Sequence, residues 1–178
     1  MFNRFQATKK PITNPKSDGK KPTATRSIKK MKSTIITVLA TENDRSFFIH
    51  VHHAAYRDMI EAEFGWDQKL QDHNAGKEFD TGGINIILAN DQQVGVVAWD
   101  EYPDHVWLKE LLILPEYQGK GIGSKVIENT KAMARDLGKE LRLRTLKENL
   151  RAKSLYERHG FKVQELTDIH WKMLWDFR

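Results

Sequence analysis

The apolar positions of this chain change period at a few fixed points. Residues 35–40 are rich in β-branched side chains and read as a first strand. The spacing then lengthens: Phe47, Phe48, Val51, Ala55, Met59 and Ile60 recur at helical intervals, with Asn43 or Asp44 placed to cap the start. This helix is expected to run to about Glu63, where Gly65 interrupts it, and a second to cover residues 66–74. Strands are expected at 84–89 and 94–99, with Asn90-Asp91 as the hairpin turn between them. Tyr102-Pro103-Asp104 turns the chain into a further apolar strand, 106–114, which Pro115 stops. Past a glycine-rich turn, Ile122, Val126, Ile127, Met133, Ala134 and Leu137 return to helical spacing and Gly138 ends it. A strand at 141–146 alternates Leu141, Leu143 and Thr145 against Arg142, Arg144 and Leu146. Asn149 then opens a short helix to His159, and 161–166 with 169–175 form a last hairpin.

Charge divides the chain. Ten of the 29 Lys and Arg and one of the 24 Asp and Glu lie in residues 1–32, which are poor in large apolar side chains. That segment is expected to be a disordered basic extension, because it buries too little surface to offset the entropy of ordering. The remaining 19 basic and 23 acidic residues leave residues 33–178, the expected folded domain, mildly acidic. An acidic body suits a cationic amine better than a nucleic acid, which leaves only non-specific contact for the basic tail. With no cysteine, disulfides, a cysteine nucleophile and thiolate metal sites are excluded. No apolar run approaches the roughly 20 residues needed to cross a bilayer, and the plain expectation is a cytoplasmic protein, with a homodimer as one assembly.

The turn Gln118, Gly119, Lys120, Gly121, Ile122, Gly123 links a strand to a helix. The first N–H groups of a helix lack internal partners and carry the positive end of the macrodipole. Glycines let a ligand approach that backbone, so the turn suits phosphates, with Lys120 and Lys125 adding charge. A Walker A loop fails, since Ser124 stands at its second glycine; a dinucleotide fingerprint fails at Val126. Q-x-x-G-x-G does fit, directly after a strand ending in Leu-Pro. It resembles the coenzyme A loop of the GNAT superfamily of acyl-CoA-dependent N-acyltransferases. Asn149-x-x-Ala152-x-x-Leu155-Tyr156-Glu157-x-x-Gly160-Phe161 is similar to a second segment of that superfamily.

The resemblance implies an α/β (α+β) fold of GNAT type. Its mixed, mostly antiparallel sheet has about seven strands and helices on both faces, and splays at the central strand pair. It implies that acetyl-CoA is the cosubstrate; the motifs leave the substrate group open, and a small-molecule amine that attacks the thioester directly is the expected acceptor. A protein or peptide N-acetyltransferase, or a CoA-binding module without turnover, are the alternatives. Carried over, Leu112 and Ile113 would offer main-chain groups to pantetheine, and the main chain of Gln118, Gly119, Lys120, Gly121, Ile122, Gly123 and Ser124 would bind the diphosphate. Asn149 would cap its helix or contact the cofactor.

Glu110 on the central strand is the candidate base, with Asp100, Glu101 and His105 as competitors, and Tyr156 is the candidate acid for the departing thiolate. Period-two alternation places Glu110 on the face of Leu108 and Leu112, which favours a water relay. The acceptor is expected where the first two helices approach the central strand. There Glu61, Glu63, Trp66, Asp67, Asp100 and Glu101 would hold an ammonium, or Arg57 a carboxylate. The seven histidines show no H-E-x-x-H pattern, and no metal is expected.

Overall fold

The computed structural model of the protein describes residues 34–178. The expected basic extension, residues 1–32, lies outside them.

Among the described residues, seven strands form one sheet in the order β1-β2-β3-β4-β5-β7-β6. They are β1 Ile35–Leu39, β2 Ile84–Ala89, β3 Gln92–Glu101, β4 His105–Ile113, β5 Glu140–Leu146, β6 Lys162–Leu166 and β7 His170–Trp175. The helices are α1 Arg45–Phe64, α2 Gln68–Asp80, α3 Ile122–Asp136 and α4 Leu150–Arg158. Every neighbouring pair is antiparallel except β4 and β5. Parallel strands need a crossover, and α3 supplies it. The parallel pairing runs only from His105 and Glu140 to Leu108 and Leu143, beyond which the two strands part.

Each face of the sheet carries its own core. Phe48 and Val51 of α1 and Ala75 of α2 pack on Ile84, Ile86, Val96 and Ala98. On the other face Val126, Ile127 and Ala134 of α3 and Tyr156 of α4 pack on Val97, Leu108, Leu141 and Leu143. Asn90 and Asp91 both take positive φ, 50° and 64°, and close the β2–β3 hairpin as the sequence anticipates.

Four details differ from the sequence expectation. The β3–β4 register pairs Ala98 with Glu110 and Trp99 with Leu108, leaving Lys109 as an extra residue. Such a bulge breaks strict alternation. Leu108, Leu111 and Ile113 therefore lie on the α3 and α4 side, whereas Leu112 lies on the α1 side. Glu110 shares a face with Leu112 but not with Leu108. Secondly, α2 continues to Asp80, past the expected stop near Asn74. Gly76 resembles a helix breaker in sequence, yet here it is a close-packing position whose carbonyl accepts from Arg45 Nη1 at 3.2 Å. Thirdly, α1 buries Phe48 and Val51 while Ala55 and Met59 stay exposed, so its inner stripe turns towards His52 and Tyr56. Lastly, Asp44 caps the short turn before α1, accepting from Thr41 N at 2.9 Å, and makes no side-chain cap on α1 itself.

Candidate functional site

The end of β4 leads through a tight turn at Pro115–Tyr117 into the glycine segment. Gly119 and Gly121 have φ of 74° and 81°, which an L side chain adopts only with strain. No side chain caps the start of α3 at Gly121, so its first amides stay available to an anion. This helix end opens on a cleft of about 380 Å³, walled by Leu111 and Ile113 of β4, the glycine turn and one side of α4. Ile113, Gln118, Gly119, Gly121, Ile122, Gly123, Ser124, Asn149 and Tyr156 all lie on that lining; Leu112 and Lys120 do not. Leu112 packs on the other face of the sheet, and Lys120 places its Nζ over the Tyr117 ring at 5.2 Å.

The cations on the lining are Arg151 and Arg158. With Leu155 they fall at i, i+4 and i+7 of one helix stripe, a periodic signal that sequence reading passed over. Gln118 joins three elements: its Nε2 donates to the Ile113 carbonyl at 2.8 Å and its Oε1 accepts from Arg151 Nη1 at 2.8 Å. Asn149 Oδ1 accepts from Ala152 N at 3.0 Å and so caps α4.

On the opposite face of β4, Tyr56 Oη of α1 donates to Glu110 Oε2 at 2.9 Å. Burial pushes the Glu110 carboxyl up to about 7. The Tyr56 bond opposes that rise, the charge of Glu78 adds to it, and His52 and Arg144 oppose it. Burial also raises the Tyr156 phenol above its ordinary range, and the Glu110 charge raises it further. The Glu110 charge thus reaches Tyr156, whose ring packs on the other face of the sheet. A carboxyl near 7 is suited to accept a proton at neutral pH, while a buried phenol stays a donor. Tyr156 is 8% exposed and its ring meets Phe161 edge-on at 5.5 Å.

His52, Tyr56 and Glu78 were not anticipated around Glu110. Phe48, His52 and Tyr56 stand at i, i+4 and i+8, so an aromatic stripe on α1 was the available signal. His52 Nε2 lies 3.3 Å from Glu78 Oε2, and its ring is 4.8 Å from that of Tyr56.

The residues expected to hold the acceptor are dispersed. Arg57 lies 3.3 Å from Glu61 and stacks on Trp66 at 4.9 Å, at the corner between α1 and α2. Asp100 pairs with Lys109 at 2.8 Å and Glu101 with Lys139 at 2.5 Å, towards the paired end of β4. His105 pairs with Asp104 at 2.8 Å. Glu63 is exposed, and Asp67 caps α2 through Leu70 N at 3.1 Å. Among the described residues no three His, Cys, Asp or Glu side chains gather as a metal group, and no helix is long and apolar enough to cross a membrane.

Residues 81–163 match the family model of the acetyltransferase (GNAT) domain. Over 65 residues the chain is 42% identical to the thialysine N-epsilon-acetyltransferase of Bos taurus and 35% identical to that of Mus musculus. These matches span 36% of this chain and 37% of each relative's length. Among solved structures, the paia N-acetyltransferase of Thermoplasma acidophilum in complex with coenzyme A superposes with a TM-score of 0.66 at 17% identity, covering 81% of this chain and 99% of that one. Arabidopsis thaliana Naa50 in complex with the bisubstrate analogue CoA-Ac-MVNAL gives a TM-score of 0.59 at 16% identity, covering 80% and 99%. At these identities the structural likeness speaks to the fold.

Proposed function

Because this chain belongs to the GNAT acetyltransferase family, we propose that it transfers the acetyl group of acetyl-CoA to a primary amine of a small molecule. The observation that carries the reading is the half-buried Glu110, raised to about 7 and bonded to Tyr56, at the fork whose other side opens on the glycine turn. Acetyl-CoA supplies the thioester; the chain supplies its grip and the movement of protons.

The uncapped amides at the start of α3 hold the diphosphate, and Arg151 and Arg158 add positive charge beside it. The edge of β4 at Leu111 and Ile113 guides the pantetheine arm towards the fork. A lysine-like amine has a pKa of roughly 10.4, so at neutral pH only about one molecule in 10³ is nucleophilic. Glu110 removes the proton from the ammonium, directly or through water, a contribution of about 10²–10⁴ in rate. Tyr156 donates a hydrogen bond to the departing sulfur. Full transfer from an ordinary phenol to a thiolate is uphill by roughly 2 kcal/mol, and the burial of Tyr156 enlarges that gap. The phenol therefore steadies the thiolate without surrendering its proton. With no cysteine in the chain, the amine attacks the thioester itself and not a cysteine-bound acyl group.

Two features favour a cationic acceptor. Between Glu42 and Asp80 stand nine acidic and four basic residues, on the two helices that approach Glu110 and the short turns that lead into them. The curated relatives are named for acetylating a side-chain amine of a lysine analogue. Release of free thiol from acetyl-CoA across a panel of small amines and peptides tests the reading. Turnover with small amines supports it, and turnover with peptides alone replaces the acceptor class. Binding of CoA without thiol release would leave a non-catalytic CoA-binding protein.

A further inference from the structure

The fork has a second charged wall. Pairing between β4 and β5 ends at Leu108 and Leu143, so Glu110 and Arg144 stand just beyond the join on the two departing strands. Leu141 and Leu143 belong to the core under α3 and α4. Alternation then turns Arg144 to the opposite face, the one that Glu110 shares with Leu112. The helix-covered core of that face is built on β2, β3 and the end of β4, and Arg144 stays exposed beside it. The Arg144 guanidinium forms no hydrogen bond or ion pair with the described residues, its backbone alone being held in the ladder. Arg142, two residues earlier, is tied to Glu140 at 2.8 Å and Asp104 at 3.3 Å. Across the ladder from Arg144 stands Lys172. His170 is close enough for the Arg144 charge, after burial, to hold it below its usual range. Glu110 itself is faced by His52 and Tyr56 of α1, Glu78 of α2, Tyr156 of α4 and Arg144 of β5.

Resting on the acetyltransferase reading above, we propose that Arg144 binds a carboxylate of the acceptor, which is a free amino acid whose side-chain amine meets Glu110. A guanidinium with no carboxylate bonded to it, beside a site that also holds the half-buried Glu110 carboxyl, matches a molecule with one ammonium and one carboxylate. A diamine would instead place its second cation against Arg144, which the site disfavours, whereas Lys172 is already paired with Glu165 at 2.8 Å. Arg57, the sequence's candidate for this task, is engaged by Glu61 and Trp66.

The test compares acetylation of lysine and ornithine with that of the diamines lacking their carboxylates, in wild-type protein and in Arg144→Gln and Arg144→Lys. Both members of each pair lose their proton to the same Glu110, so a change in the base cancels in the ratio of their kcat/KM values. Wild type should favour the amino acid, and Arg144→Gln should lower that preference about 10- to 100-fold, mainly through KM. Arg144→Lys should recover part of it. An equal or greater kcat/KM for the diamines in wild type, or a ratio unmoved by Arg144→Gln, overturns the carboxylate role while leaving the acetyltransferase standing. Thiol release with peptide amines only overturns it as well. No thiol release from any amine overturns the parent reading and this one together.

Discussion

Tyr56 Oη donates to Glu110 Oε2 at 2.9 Å, joining the first helix to the central strand at the point where the sheet opens. Burial raises the carboxyl to about 7 even against the lowering effect of this bond, so Tyr56 holds the base below the level that burial alone would give. Glu110 must be ionised to accept a proton, and kcat/KM should therefore rise with pH through about 7. In Tyr56→Phe the ionised form loses its donor and that limb moves to higher pH, by about one unit for a bond to a charged group. A limb that stays in place would mean that Tyr56 does not tune the base.

The same burial makes Glu110 a stability liability. Its folded value of about 7 exceeds the 4.5 of an ordinary Glu, so between those values the folded form holds a proton that the unfolded form has lost. Stability from this group is full below 4.5, declines as pH rises, and is gone above about 7. The difference amounts to about 3 kcal/mol at most. Glu110→Gln keeps an acceptor for Tyr56 and carries no charge. Its Tm should exceed that of wild type by several degrees at pH 8, with the gap closing at pH 5, while turnover falls by about 10²–10⁴. A Tm difference that does not vary with pH would place the cause elsewhere.

The glycine-turn side of the cleft was legible in the sequence because it is local. A glycine turn after a strand, and Asn149 three residues before Ala152, lie within single stretches of chain, and their geometry follows from φ preference and helix capping. The surroundings of Glu110 were less so, because they are assembled from α1, α2, β4 and β5. Extra Lys109 inverts the alternation that a reading by pairs assumes, and thereby turns Glu110 towards Tyr56. Conversely, Arg57 and Glu101 attract attention as charges in sequence, yet each meets an opposite charge: Glu61 at i+4 of the same helix, and Lys139, which sequence does not reveal. Arg144 was visible only as the polar half of an alternating strand.

Tyr156 separates binding from chemistry. Its ring packs against Phe161 and its hydroxyl is raised well above an ordinary phenol, so Tyr156→Phe keeps the packing and removes the donor. The Kd for acetyl-CoA should stay within about threefold and kcat should fall by about 10²-fold or more. Calorimetry paired with a thiol-release assay reads both, and an unchanged kcat would remove Tyr156 from the reaction.

Gly95 of β3 faces Ile113 across the ladder, and a Cβ there would stand 2.2 Å from the Leu112 carbonyl oxygen and 3.0 Å from Ile113 Cα. Both contacts are backbone, so Gly95→Ala can be relieved only by moving the strand that walls the cleft. We expect a loss of about 1–3 kcal/mol in urea unfolding together with weaker CoA binding. Gly121→Ala differs in kind: nothing lies within 4 Å of its Cβ, but φ of 81° costs about 1–2 kcal/mol and distorts the turn that carries the amides. Undiminished CoA affinity in Gly95→Ala would show that the cleft tolerates displacement of β4.

Arg151 acts at two points, as charge on the cleft wall and as the outer member of the chain Arg151–Gln118–Ile113. The guanidinium is exposed, so its attraction for phosphate is screened by salt. Arg151→Ala should weaken CoA binding by about tenfold at low ionic strength, and by much less at about 1 M salt, where the Debye length is near 3 Å. The Gln118 bond is a separate matter that charge screening does not erase. Gln118→Ala removes the anchor on the Ile113 carbonyl as well as the partner of Arg151, so its effect contains part of that of Arg151→Ala. A double-mutant cycle on CoA affinity at high salt should show losses that fail to add, with a coupling of about 0.5 kcal/mol. Simple additivity would reduce the chain to three neighbours without a shared task, leaving Arg151 as surface charge alone.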